Sequence, residues 1–194
     1  MKVSESQAEE HRTKLIAACA RLLQERGFDG AGVADISRAA GLTQGALYSQ
    51  FKSKGALAAE ACRRSQANSL STLREIGLSA GDPLSAYLDV YLSDTHAKDV
   101  AEGCAIAAYG CEVRRQDKHF KAVFTEGFRV AVDMLKEVLP KRLSKREARR
   151  RALVMIPAMA GCVIMSRAIE KTDPELAKEL LAAARDEFER FAVE

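Results

Sequence analysis

The sequence predicts an all-α chain of about nine helices. Three observations carry that expectation. Ala, Leu, Glu, Lys and Arg dominate the 194 residues, and all of them favour helix. Apolar residues recur at spacings of three and four along most of the chain, and no segment alternates as a strand does. The few prolines and many of the glycines stand where helices start and stop.

The first helix is expected over about residues 9–26. Leu15, Ile16, Cys19, Leu22 and Leu23 form its apolar stripe, and Gly27 stands at the position of a C-cap. After a turn at 29–32, short helices are expected at 33–40 and 44–50, with Gly41 between them. Ser53 is a natural N-cap for a long helix reaching about Gly77. Asp82-Pro83 opens a helix to about Lys98, and two more follow at about 102–116 and 118–139, the last stopped by Pro140. Ser144 and Glu147 have capping-box spacing ahead of a helix to about Glu170, with a kink expected at Pro157. Asp173-Pro174 opens the last helix. The chain divides into an N-terminal three-helix unit, 1–52, and a C-terminal helical unit, 53–194.

Composition excludes several function classes. A net charge of +3 is too mild to mark a nucleic-acid binder, so local charge must decide. Five cysteines are scattered, without CxxC or Cys/His metal spacing, which predicts reduced thiols and no metal site. No Ser/His/Asp pattern or phosphate-binding glycine loop appears, so neither an enzyme nor a cofactor is expected. The first ten residues are polar, and no apolar run is expected to approach the roughly 20 residues that span a bilayer. A cytoplasmic protein without a membrane partner is the expectation.

Residues 33–51 carry the functional argument. Ile36, Ala40, Leu42 and Leu47 have the spacing for a miniature core between two crossed helices joined at Gly41. Thr43 can cap the second of them. The face left outward is Gln44, Gly45, Ala46, Tyr48 and Ser49, small and polar enough to enter a major groove. Gln44 is the best placed for base hydrogen bonding, because an amide pairs bidentately with adenine.

These residues, in order, resemble the DNA-binding domain of the tetracycline-repressor (TetR) family. The matching features are Gly27-Phe28, Val33-x-Asp35-Ile36, Ala40-Gly41-Leu42-Thr43, Gly45-Ala46-Leu47-Tyr48 and Phe51-x-Ser53-Lys54. Gly32, Ser37, Gln44 and Gly55 depart from the usual pattern. The resemblance implies a homodimer on a palindromic operator, released by a small-molecule inducer. It implies phosphate contacts from Thr43, Tyr48 and Lys54, and base contacts from Gln44, Gly45 and Ala46. It also implies a ligand pocket in the C-terminal unit and a dimer interface on the last two helices.

Candidate pocket residues are Tyr87, Tyr91, Tyr109, Phe124, Phe128, Met155 and Met159, since aromatic and adaptable Met side chains suit a ligand site. For the dimer bundle, Leu153, Ile156, Ala160, Val163 and Ile164 face Leu180, Leu181, Ala184, Phe188 and Phe191. Cys104, near the start of a predicted helix, offers an alternative thiol switch. Cys111 lies about 10.5 Å further along that helix, too far to pair with it. The basic run from Lys141 to Arg151 reads as a solvated face.

Overall fold

The computed structural model describes residues 4–79 and 81–194. Helix α1 (Glu5–Gly30) starts a turn earlier than predicted, because the Ser4 hydroxyl and the Gln7 side chain cap each other's backbone N–H. At Gly27 φ is +71°, and the helix is interrupted there. Helices α2 (Val33–Ala39) and α3 (Gln44–Gln50) follow, joined through Gly41 at φ +68°. The Ser53 hydroxyl accepts from the Ala56 N–H at 3.1 Å and so opens α4 (Lys54–Ser79).

Ile36, Leu47, Leu57 and Leu15 are fully buried together and make the first core. This core is closed by residues from much later in the chain. Phe28, Tyr109 and Phe120 meet edge-to-face, with ring centroids 4.8–6.1 Å apart. The boundary expected at 52/53 falls at the entry to α4. Leu57, Ala58, Ala61 and Cys62 of that helix pack in the first core. Further along it, Gln66, Ser69 and Leu70 line a cavity in the C-terminal half.

The second half runs α5 (Pro83–Tyr91), α6 (Asp94–Lys98), α7 (Ala105–Tyr109), a 3₁₀ turn at Val113–Arg115, α8 (Lys118–Val138), α9 (Lys145–Ile169) and α10 (Pro174–Val193). The described residues thus hold ten α-helices and no strand. Two predicted helices are broken. The one at 83–98 divides because the Ser93 hydroxyl accepts from the His96 N–H at 3.0 Å, capping a new helix. The one at 102–116 shrinks to 105–109. Asp99 draws the Glu102 N–H into a turn before it, and Gly110 follows it. Cys104 and Cys111 therefore lie outside this short helix, on either side of it.

A second core gathers Leu88 of α5, Leu135 of α8, Met155, Met159 and Val163 of α9, and Leu181 of α10. Helix α9 runs through Pro157 without interruption. Its Ser144 cap forms, accepting from the Glu147 N–H at 3.1 Å. The Glu147 carboxylate does not close the box; it pairs with Arg150 and Arg151 instead.

One expectation is overturned in α9. This helix is long and apolar enough, by length and composition, to cross a membrane. Residues 152–166 carry no charge, and both faces of the helix are apolar. Ile156, Met159 and Val163 fill the core, while Leu153, Val154 and Met165 are exposed. A helix apolar all round has two faces to bury.

Candidate nucleic-acid interface and ligand cavity

The outward face of α3 is held by the miniature core behind it. Ile36 and Leu47 are fully buried, with Ala40 and Leu42 half-buried against them. The Thr43 hydroxyl oxygen accepts from the Ala46 N–H at 3.1 Å, which caps α3 and leaves its proton to donate outward. Gln44, Gly45, Tyr48 and Ser49 are exposed, and Ala46 is half-buried. Tyr48 is 56% exposed, unusual for so large a ring. Ser49 donates to the Ala46 carbonyl at 2.8 Å. Lys54 stands off this face and donates to the Phe28 carbonyl. An ammonium has three donors, so two remain.

Behind this face two departures from the family pattern have structural consequences. Gly32 has no side chain to cap α2; the Asp35 carboxylate accepts from the Gly32 N–H at 3.3 Å and takes over part of that work. Ser37 is 2% exposed, and its hydroxyl finds no partner among the described residues.

A cavity of about 540 Å³ opens between α4, α5, α8, α9 and the segment joining α6 to α7. Of the predicted pocket residues, Tyr87 and Tyr91 line it, their rings stacked at 5.9 Å and 13°. The other five are placed elsewhere. Tyr109 is fully buried in the first core, where Phe124 packs beside it. Phe128 packs against the second core, which contains Met155 and Met159. The helices expected to supply them do reach the cavity, through other residues. Helix α8 presents Gly127 and Ala131, and α9 presents Ile156. A Cβ at Gly127 would fall 2.0 Å from the buried Gln66 side chain, so glycine lets α4 and α8 approach closely there.

Cys104 lines the same cavity, and the Tyr91 hydroxyl donates to its Sγ at 3.0 Å. His96 also lines it. Its Nδ1–H donates to the Tyr91 carbonyl at 2.6 Å, and burial pushes its pKa down. Cys19 and Cys62 are buried in the first core, which pushes both thiols up to about 12. Cys111 is exposed.

Three long-range polar contacts escaped sequence reasoning. Gln24 is buried on α1, and its Nε2–H donates to the carbonyls of Val100 and Gly103 at 3.0 and 3.4 Å. Ser69 of α4 donates to the same Gly103 carbonyl at 3.2 Å. Glu112 accepts from the Phe28 N–H at 3.0 Å, next to the break at Gly27. A lone polar residue beside a stripe of leucines was the available signal for Gln24. Nothing local marks its partners, 76 and 79 residues away.

The predicted dimer residues also separate. Ile156, Ala160, Val163, Leu181 and Ala184 are buried within the chain, and Ile164, Leu180 and Phe188 are half-buried. Leu153 and Phe191 remain exposed, joined by Val154, Met165 and Leu176. Arg151, from the basic run, turns inward and donates to Glu147 and to the Phe191 carbonyl, while its neighbours Arg149 and Arg150 stay exposed.

Comparison with known proteins agrees with this geometry. Residues 15–61 match the family model of bacterial regulatory proteins of the tetR family, and residues 80–179 match the C-terminal domain of LmrA/YxaF-like transcriptional regulators. The HTH-type transcriptional repressor KstR2 of Rhodococcus jostii is 33% identical over 103 residues, which are 53% of this chain and 50% of that protein. The HTH-type transcriptional regulator AcrR of Shigella flexneri is 30% identical over 94 residues, 46% of this chain and 42% of that one. The match thus spans about half the length of these curated relatives or less. Among solved structures, a TetR-family regulator from Cytophaga hutchinsonii superposes with a TM-score of 0.78 at 18% identity, covering 100% of both chains. The reduced form of Escherichia coli NemR gives 0.73 at 21% identity, covering 91% of this chain and 95% of that one. Identities this low speak for the fold alone. With one family model on the helix-turn-helix and another on more than half of the chain, the chain belongs to the tetR family of bacterial transcriptional regulators.

Proposed function

We propose that the chain is a ligand-responsive transcriptional repressor acting in the cytoplasm. Two copies bind a palindromic operator, and a small-molecule inducer releases it. In each copy α3 enters the major groove. Thr43, Tyr48 and Lys54 bind phosphates, while Gln44, Gly45, Ala46 and Ser49 face the bases. The reading face carries no charge, so affinity rests on phosphates and on the spacing of the two heads, one helical turn or roughly 34 Å apart. The exposed apolar faces of α9 and α10 support a second copy as the cover.

The observation that carries the ligand response is the junction at Gly103. This residue lines the cavity, and its carbonyl is held from α1 and α4 at once. A molecule entering the cavity bears on the segment that holds the DNA-binding head. The first test is a gel shift with DNA flanking the gene. Tyr48→Ala and Gln44→Ala are expected to weaken binding while circular dichroism stays unchanged. Full binding by both variants would falsify this recognition helix.

A second reading has one observation in its favour. The Cys104 thiol lines the cavity beside the Tyr91 hydroxyl, where modification would disturb the same junction. In this reading Cys104→Ser keeps operator binding and loses the response to oxidants. A variant that still responds sinks it.

A further inference from the structure

The cavity has an unbalanced charge. Its described lining includes two carboxylates, Asp99 and Glu102, and neither Lys nor Arg. Both carboxylate residues are exposed at its rim, and neither takes part in an ion pair among the described residues; the Asp99 carboxylate accepts only from the Glu102 N–H, at 3.0 Å. Arg167 lies behind the same wall, but its guanidinium is turned to backbone. It donates to the carbonyls of Ala97, Asp99 and His96 at 2.7, 3.3 and 3.4 Å. Burial lowers the His96 pKa, against the bond to the Tyr91 carbonyl that raises it, so the ring favours its neutral form. Its Nε2 is left as an acceptor.

The opposite part of the lining is aromatic and also incomplete. Tyr87 is 3% exposed as a residue, and its hydroxyl, which makes no hydrogen bond among the described residues, is reached from the cavity rather than sealed in the core. A hydroxyl open to a cavity can bond an occupant. The Tyr87 and Tyr91 rings are within 13° of parallel, which presents a flat aromatic surface. The volume, about 540 Å³, suits a molecule of drug size.

We infer that the cavity takes a cationic aromatic amphiphile, its flat apolar body against Tyr87 and Tyr91 and its positive end toward Asp99 and Glu102. This deepens the proposed function and rests on its reading of the cavity as the inducer site. Aromatic faces and carboxylates both attract a cation, and a partly dry site strengthens both. A carboxylate or phosphate ligand would meet charge of its own sign and find no Lys or Arg among the described lining residues.

The test uses three dyes and the full-length protein without DNA. Thioflavin T is cationic, its uncharged benzothiazole analogue lacks only the ring N-methyl, and anilinonaphthalene sulfonate is anionic. Fluorescence titration is expected to show thioflavin T binding about ten-fold more tightly than the neutral analogue, a factor that shrinks as salt is added. The sulfonate is expected to bind weakest. Asp99→Asn with Glu102→Gln should remove the preference for the cation and leave binding of the neutral analogue unchanged, a control for folding. Equal binding of cation and neutral analogue by the parent protein overturns the proposal, as does a preference that survives the double substitution. The operator gel shift separates the two ideas. Selective binding of the cation without release of DNA supports the ligand class and refutes the inducer reading. Release by the neutral analogue, bound as well as the cation, does the reverse.

Discussion

Replacing Ser37 with Ala should stabilise the DNA-binding head. The hydroxyl is 2% exposed and unpartnered, on the inward side of α2. Leaving such a group buried without its hydrogen bond costs about 1–3 kcal/mol. Alanine is also the better helix former by about 0.5 kcal/mol. Against these gains stands a small void where the oxygen was, which reduces the benefit by less than a methyl-sized cavity would. The expected net gain is about 1–2 kcal/mol. For a chain of this length each kcal/mol moves Tm by about 2–4 °C, so Tm should rise by about 2–8 °C. Thermal unfolding followed at 222 nm measures it, at one fixed protein concentration because association shifts Tm. Operator affinity should not change, since Ser37 faces away from DNA. An unchanged or lower Tm would refute the reasoning, because it would mean that the hydroxyl has a partner after all.

Gly41→Ala should lower stability by about 1–2 kcal/mol through backbone strain alone, because φ is +68° and a Cβ there meets nothing within 4 Å; Gly41→Asn should recover part of the loss in the same melt. His96 has a folded pKa below its usual 6.5. Its contribution to stability is complete above about pH 6.5 and is lost as the pH falls from there toward the folded value. Urea unfolding at pH 7.5 and 5.5 should therefore show a smaller acid loss for His96→Gln than for the parent. Lys54→Met should weaken operator binding alike on all sequences and reduce the slope of log K against log salt by about one for each subunit, read by fluorescence anisotropy; an unchanged slope would leave Lys54 with only its Phe28 contact. Gln24→Leu should retain operator binding while requiring a different concentration of bound ligand to release it, and an identical release curve would remove Gln24 from the coupling.

The helix-turn-helix was legible in the sequence because its determinants are local. Gly41 turns the chain, Thr43 caps α3, and Ile36 and Leu47 meet across eleven residues, so spacing alone arranges them. The breaks within 83–98 and 102–116 were not legible. They depend on whether Ser93 and Asp99 bond to the nearby backbone or let a helix continue, and local propensities do not decide between the two. The cavity was less legible still. Aromatic and methionine side chains predict where material is, while a cavity forms where Gly127 and Ala131 leave it out. Phe124 and Phe128 fill space on either side of Gly127, and Met155 fills the core beside Ile156. Two of the seven predicted residues line the cavity, and both come from α5, where Tyr87 and Tyr91 stand one turn apart.

The strength of the junction can be compared with what a switch requires. Releasing an operator by a hundred-fold needs a difference of about 2.7 kcal/mol between the two states. Gln24 makes two bonds to the segment between α6 and α7, and Ser69 makes one, at 3.0–3.4 Å. At about 1 kcal/mol for each bond, losing all three amounts to about 3 kcal/mol. The segment has little room to yield gradually. A Cβ on Gly103 would lie 2.3 Å from the Asp99 carbonyl and 2.8 Å from the Arg167 guanidinium, so there is no room for Gly103 to shift in that direction. An occupant that needs space at Gly103 must therefore move the loop as a unit, and the loop carries its bonds to α1 and α4 with it. Packed elements of this kind shift between discrete arrangements rather than deforming smoothly. Under the proposed function, a contact made in the cavity would in this way be converted into a changed hold on the helices that orient α3.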